Sequence, residues 1–98
     1  MLSKKEALNY LKGLKGWTLL ANEKGIRSEF LMKNFMGAID LINRIAKLAE
    51  KEGHHPNIHL TSYRKLVIVL STHAIGGLSE NDFILATKID RLPKKLKT

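Results

Sequence analysis

The spacing of apolar residues switches between helical and strand periods along the chain, and each switch marks an element. Ser3 and Glu6 stand at capping-box spacing, and Leu8, Leu11 and Leu14 follow on one helical face, which predicts a helix over residues 4–14 ended by Gly16. Residues 17–21 read as a strand. Asn22-Glu23-Lys24-Gly25 has turn chemistry, with Gly25 available for a positive φ. Residues 26–32 alternate, with Ile26, Ser28, Phe30 and Met32 on one side and Arg27, Glu29 and Leu31 on the other, the pattern of a half-buried strand that closes a hairpin. Asn34 then caps a long helix whose apolar positions are Phe35, Ala38, Ile39, Ile42, Ile45, Ala46 and Ala49. Gly53 is its stop signal.

After His54-His55-Pro56, residues 57–63 read as a strand, Arg64-Lys65 as a short turn, and residues 66–72 as a second strand. The β-branched run Leu66-Val67-Ile68-Val69-Leu70 suits a central position in a sheet. Gly76-Gly77 is a loop, Ser79 caps a last helix over roughly residues 80–91 with Asp82 in its first turn, and Pro93 closes it. The order is α-β-β-α-β-β-α. Two hairpins merge into one four-stranded antiparallel sheet with the helices on one face, which predicts a single α+β domain over residues 1–98.

A chain of 98 residues buries roughly 60–65% of the surface its unfolded form exposes. The core is thin, and self-association is a natural way to bury more. The absence of cysteine excludes disulfides, thiolate metal sites and cysteine nucleophiles. No apolar run reaches membrane-span length, and the N-terminal residues lack the apolar stretch of a signal peptide. These features point to a soluble, cytoplasmic protein. The net charge of +8 comes from lysines spread along the chain, with one cluster at Lys94, Lys95 and Lys97. That distribution reads as a solvated surface with a frayed basic tail and disfavours a nucleic-acid partner.

All four histidines, His54, His55, His59 and His73, fall within twenty residues. If strands 57–63 and 66–72 pair as a hairpin, the start of the first lies beside the end of the second, so His54 and His55 approach His73. Metal binding is one reading of such a cluster, but neighbouring His54 and His55 project differently and no HExxH-like spacing is present. Acid–base chemistry without a metal is the other reading. Imidazole titrates near pH ~6.5 and can give or take a proton at neutral pH. Two imidazoles facing one substrate can serve the two ends of an elimination.

Glu50, then Gly53-His54-His55-Pro56, then Tyr63, His73 and Asp82 resemble the signature of the pterin-4a-carbinolamine dehydratases. The likeness extends to Gly16-Trp17, to the long helix with Arg44 and Ala49-Glu50, and to Leu70-Ser71-Thr72-His73 with Gly77-Leu78-Ser79. The resemblance implies a hydro-lyase that converts a 4a-hydroxytetrahydropterin to quinonoid dihydropterin and water, recycling the pterin of aromatic amino-acid hydroxylation. It implies no cofactor beyond the pterin substrate, no metal, and a homo-oligomer, a tetramer built from dimers. It also implies His54, His55 and His73 as the catalytic set, with His54 and His73 the acid–base pair and His55 chiefly positioning the pterin. Gly53, Ser71, Thr72, Trp17 and Asp82 join the three histidines as expected substrate-binding residues. Tyr63 and Arg44 match the signature but read as structural, and His59 as a strand-surface residue outside it. Gly53 departs from those members that carry aspartate there, so any contact from that carboxylate is lost. Some animal members also partner a transcription factor, and an interaction module without catalysis is the competing reading.

Overall fold

The computed structural model describes residues 1–98. Ser3 accepts the Glu6 N–H at 3.1 Å while Glu6 reaches back to the Ser3 N–H at 3.0 Å, and this reciprocal cap starts α1 (Lys4–Leu11). Hydrogen bonding by the Ser3 backbone N–H, and next by its side chain, holds the Glu6 carboxyl below its usual range. α1 stops a turn short of the predicted residue 14, because the chain tightens into a turn over Lys12-Gly13. Its buried anchor is Ala7, whereas Leu8 is exposed; Leu11 and Leu14 pack at the margin of the core.

β1 (Trp17–Leu19) and β2 (Ile26–Leu31) form the first hairpin, with Trp17 opposite Ser28. Its turn takes its left-handed residue at Glu23, with φ 62°, and not at Gly25 as the turn chemistry suggested. Gly25 serves another purpose. A Cβ there would stand 2.9 Å from the Leu70 carbonyl oxygen and 2.8 Å from Leu20 Cδ1, so the hydrogen side chain allows the turn to lie against the neighbouring strand. Gly25→Ala is expected to cost about 1–3 kcal/mol through overpacking against backbone. A urea unfolding curve measures it, and an unchanged midpoint would show that the turn rearranges freely.

Asn34 Oδ1 accepts the Gly37 N–H at 2.8 Å, which starts α2 (Phe35–Glu52). Its buried stripe is Ala38, Leu41, Ile45 and Ala49, while Phe35 and Ala46, placed on the apolar face by their spacing, are exposed. β3 (Asn57–Thr61) and β4 (Lys65–Leu70) pair in the register Asn57↔Val69 to Thr61↔Lys65. The reversal falls at Ser62-Tyr63, both left-handed with φ 48° and 52°, two residues before the expected Arg64-Lys65 turn. α3 (Glu80–Arg91) follows a short 3-10 turn at His73–Ile75.

The four strands make one antiparallel sheet in the order β1-β2-β4-β3. β4 is central, and Leu66, Ile68 and Leu70 on its inner face are fully buried against the helices. The three helices cover that face, and the other carries Arg27, Glu29, Lys65, His59 and Thr61 toward solvent. Lys88 of α3 pairs with Glu52 of α2, and its ammonium holds Glu52 below the usual carboxylate range. The basic tail is not frayed. Lys33 N–H bonds to the Lys95 carbonyl at 2.8 Å and Lys97 N–H to the Leu31 carbonyl at 3.0 Å. Lys94 Nζ donates to the carbonyls of Ile89, Asp90 and Leu92, which caps the C-terminus of α3, and its burial pushes its pKa down. No helix is long and apolar enough to cross a membrane.

Candidate functional site

The site lies where the C-terminus of α2, the end of β4 and the start of α3 meet. Gly53 takes a left-handed conformation, φ 64°, and the His54 N–H returns to the Ala49 carbonyl at 3.1 Å, the 6→1 bond of a Schellman ending. This ending turns the chain so that His54 leads into β3. A side chain at Gly53 would meet no atom within 4 Å, so backbone conformation rather than space favours glycine. Asparagine and aspartate tolerate that conformation better than most residues.

The β3–β4 register sets the segment before Asn57 beside the residues after Leu70. Thr72 N–H donates to the Gly77 carbonyl at 2.8 Å, and Gly76 closes the intervening 3-10 turn with φ 66°. That small loop presents His73 toward His54 and His55. The result is an open cavity of about 380 Å3, lined by Gly53, His54 and His55 on one side, by Ser71 to Ala74 on another, and by Asn81 of α3. Such a volume falls within the ordinary range for small-molecule sites. A smaller recess of about 210 Å3 adjoins it, sharing Ser71, Thr72 and His73 and bounded by Lys24, Gly76 and Gly77.

Behind the cavity wall stands Asp82, fully buried. Its Oδ1 lies 2.6 Å from His54 Nε2, and its Oδ2 accepts from Thr72 Oγ1 at 2.9 Å and from the Ser79 N–H at 3.0 Å. Thr72 spends its single hydroxyl hydrogen on Asp82, so the 2.7 Å contact between Thr72 Oγ1 and Ser79 Oγ is a bond donated by Ser79. A carboxylate oxygen only accepts, and Nε2 of His54 therefore carries the hydrogen in that pair. Nδ1 is left as the nitrogen available to a ligand. The His54 side chain is 16% exposed, enough to reach the cavity while its ring is held.

His55 pairs through Nε2 with Glu50, and both are exposed. His73 is exposed, and ring-nitrogen bonds are made only by His54 and His55. Two of the expected substrate contacts sit elsewhere. Trp17 is buried in the core, and its indole N–H donates to the Asp90 carboxylate at 3.0 and 3.1 Å; it does not line the cavity. Asp82 does not line it either, because it is sealed behind His54 and Thr72, to both of which it is hydrogen-bonded. Arg44 pairs with Asp40 on the α2 surface, the exposed Tyr63 lies under Arg64, and His59 is exposed on β3, all outside the cavity. Asn81, Ala74 and Lys24 went unread in the sequence. Asn81 follows the Ser79 cap by two residues, and that position at a helix start beside the Ser-Thr-His segment was the available signal. No group of three histidine or carboxylate side chains is arranged to hold a metal ion.

A family model described as pterin 4 alpha carbinolamine dehydratase matches residues 1–92. A pterin-4-alpha-carbinolamine dehydratase 2 of Arabidopsis thaliana, termed mitochondrial, is 42% identical over 94 residues, covering 93% of this chain and 50% of that protein. A Nitrosospira multiformis protein bearing the same dehydratase name is 45% identical over 91 residues, covering 93% and 78%. The chain thus spans half the length of the plant relative and most of the bacterial one. Among solved structures, a transcriptional coactivator/pterin dehydratase from Brucella melitensis superposes with a TM-score of 0.85 at 30% identity, over 91% of this chain and 94% of that one. A pterin dehydratase-like RuBisCO assembly factor of the alpha-carboxysome has a TM-score of 0.65 at 19% identity, over 79% and 88%, and shares the fold alone.

Proposed function

The chain belongs to the pterin 4 alpha carbinolamine dehydratase family, and we propose that it is a hydro-lyase converting a 4a-hydroxytetrahydropterin to quinonoid dihydropterin and water. The observation that carries the reading is the convergence of His54 and His73 on one cavity, with His54 oriented by a buried carboxylate.

The chemistry needs two proton transfers and no redox step. The C4a–O bond breaks as a proton reaches the departing hydroxyl, the ring supplies the electron pair that forms the C4a–N5 double bond, and a ring N–H surrenders its proton. Neutral His54 accepts a proton at Nδ1; the same atom, once protonated, donates one. His73, with an unengaged ring, complements it from the facing loop. His55, held by Glu50, positions the pterin beside Gly53. Ser71 and Thr72 supply hydroxyl and backbone groups along the edge of the heterocycle. No step requires a cofactor besides the pterin itself.

A homo-oligomer completes the proposal. β3 leaves an unpaired outer edge, and Phe35 and Met36 at the start of α2 are 49% and 71% exposed, which a second copy would cover. A cytoplasmic location belongs to the same reading, as does the recycling of pterin for an aromatic amino-acid hydroxylase. The Brucella protein is described as a transcriptional coactivator as well as a pterin dehydratase. A similar interaction role in this chain would persist without the histidines, whereas dehydration would not.

The deciding experiment is the decay of freshly generated 4a-hydroxytetrahydropterin, followed by absorbance with and without the protein. Acceleration in proportion to protein concentration is expected. A decay no faster than the spontaneous one would remove the dehydratase reading for that substrate.

A further inference from the structure

We propose that the recess beside the histidine cavity is an anion subsite with Lys24 as its cation, and that it takes a phosphate-bearing side chain of the pterin. The choice of a pterin as the body of that ligand rests on the dehydratase reading; the electropositive recess does not.

Lys24 is held in place by its turn. Leu20 N–H bonds to the Gly25 carbonyl at 2.9 Å, Glu23 N–H to the Leu20 carbonyl at 2.9 Å, and Lys24 N–H to Asn22 Oδ1 at 2.9 Å. The close approach of Gly25 to the Leu70 carbonyl presses this turn against the end of β4, one residue before Ser71. Lys24 therefore faces the Ser71–His73 segment across the recess.

Three further observations make this a place for negative charge. First, Lys24 takes no part in any ion pair, whereas Arg27, Arg44, His54, His55, Lys65 and Lys88 do; the neighbouring Glu23 is unpaired too and lies outside the recess. Second, no carboxylate lines either the recess or the histidine cavity. Asp82 is sealed behind the wall and already accepts three hydrogen bonds. Third, the two spaces share Ser71, Thr72 and His73, so a flat ring among the histidines extends a substituent past His73 toward Lys24. The backbone N–H groups of Thr72 and Gly77 are spent on each other's carbonyls at 2.8 and 3.4 Å. Lys24, Ser71 Oγ and the His73 ring are side-chain donors there, and Lys24 alone carries a fixed positive charge.

The test compares a 4a-hydroxytetrahydropterin having a neutral dihydroxypropyl side chain with its phosphate monoester. At low salt the native protein is expected to show kcat/KM about fivefold higher for the phosphate ester, the scale of one partly exposed ion pair, expressed in KM. Added salt shrinks the preference. Lys24→Ala abolishes it, Lys24→Arg keeps it, and Lys24→Glu reverses it. Equal kcat/KM for the two substrates, or a preference that survives Lys24→Ala, overturns the subsite while leaving the dehydratase intact. Binding of the corresponding 7,8-dihydropterin pair, read by fluorescence, covers the case in which neither substrate is turned over. A fivefold preference lost in Lys24→Ala then upholds the subsite and sinks the dehydratase, and equal binding sinks both.

Discussion

His54→Ala and His73→Ala are each expected to lower kcat for pterin dehydration by about 10²- to 10⁴-fold, the usual contribution of a positioned acid or base. The two losses have different structural backgrounds. His73 sits exposed on the 3-10 turn with its ring unengaged, so its removal leaves the fold as it is and the melting temperature barely moves. His54 is hydrogen-bonded to the buried Asp82, and its loss leaves a carboxylate oxygen short of a partner at a cost of about 1–3 kcal/mol. Asp82 Oδ2 retains its bonds from Thr72 and Ser79, so the protein still folds. Their combination separates the roles. If the two imidazoles serve opposite ends of one elimination, the double variant is little worse than the poorer single variant, since residues that act as a unit are strongly non-additive. Stopped-flow decay of the carbinolamine with the native protein, both single variants and the double variant measures this. Full activity in either single variant would remove that histidine from the acid–base pair.

The elements were legible because their signals are local. Asn34 and Gly53 bracket α2 through side-chain and backbone chemistry that acts within a turn of the helix end. The run Leu66 to Leu70 lies between β2 and β3, the central place its β-branched composition indicated. The meeting of His54, His55 and His73 was legible too, because an antiparallel hairpin necessarily sets the start of one strand beside the end of the other.

What escaped the sequence is tertiary. Ser62-Tyr63 reverses the chain with two left-handed residues but carries no glycine or asparagine to announce it. The tail pairing of Lys95 and Lys97 with Lys33 and Leu31 joins segments some sixty residues apart in a manner no periodicity encodes. Trp17 matched the family pattern, but only the packing of β1 near α3 shows its N–H spent on Asp90. The close approach of Gly25 to Leu70 likewise has no local signature, and with it the placement of Lys24 was hidden.

Asp82→Asn is expected to be nearly as damaging to catalysis as loss of His54, while costing far less stability than Asp82→Ala. In the native site both oxygens accept: Oδ2 from Thr72 and the Ser79 N–H, Oδ1 from His54 Nε2. An asparagine has one accepting oxygen and one donating amide nitrogen. The Ser79 backbone N–H cannot reverse its polarity, so the amide oxygen must take the Oδ2 place. The amide NH2 then faces His54, whose Nε2 has to accept, and the ring proton moves to Nδ1. The nitrogen facing the cavity changes from acceptor to donor. A wrong histidine tautomer with intact geometry costs about 10⁴-fold in the serine-protease triad, and a loss of about 10²- to 10⁴-fold is expected here. Asp82→Ala, by contrast, strands the Ser79 N–H and the His54 N–H together and is expected to destabilise by about 3 kcal/mol or more. Long-range 1H–15N NMR of the His54 ring distinguishes the tautomers directly, with kcat measured on the same samples. A switch to the Nδ1–H form together with lost turnover assigns Asp82 to fixing the proton on His54. Unchanged turnover despite the switch would mean that His54 acts by position alone and that His73 moves the proton.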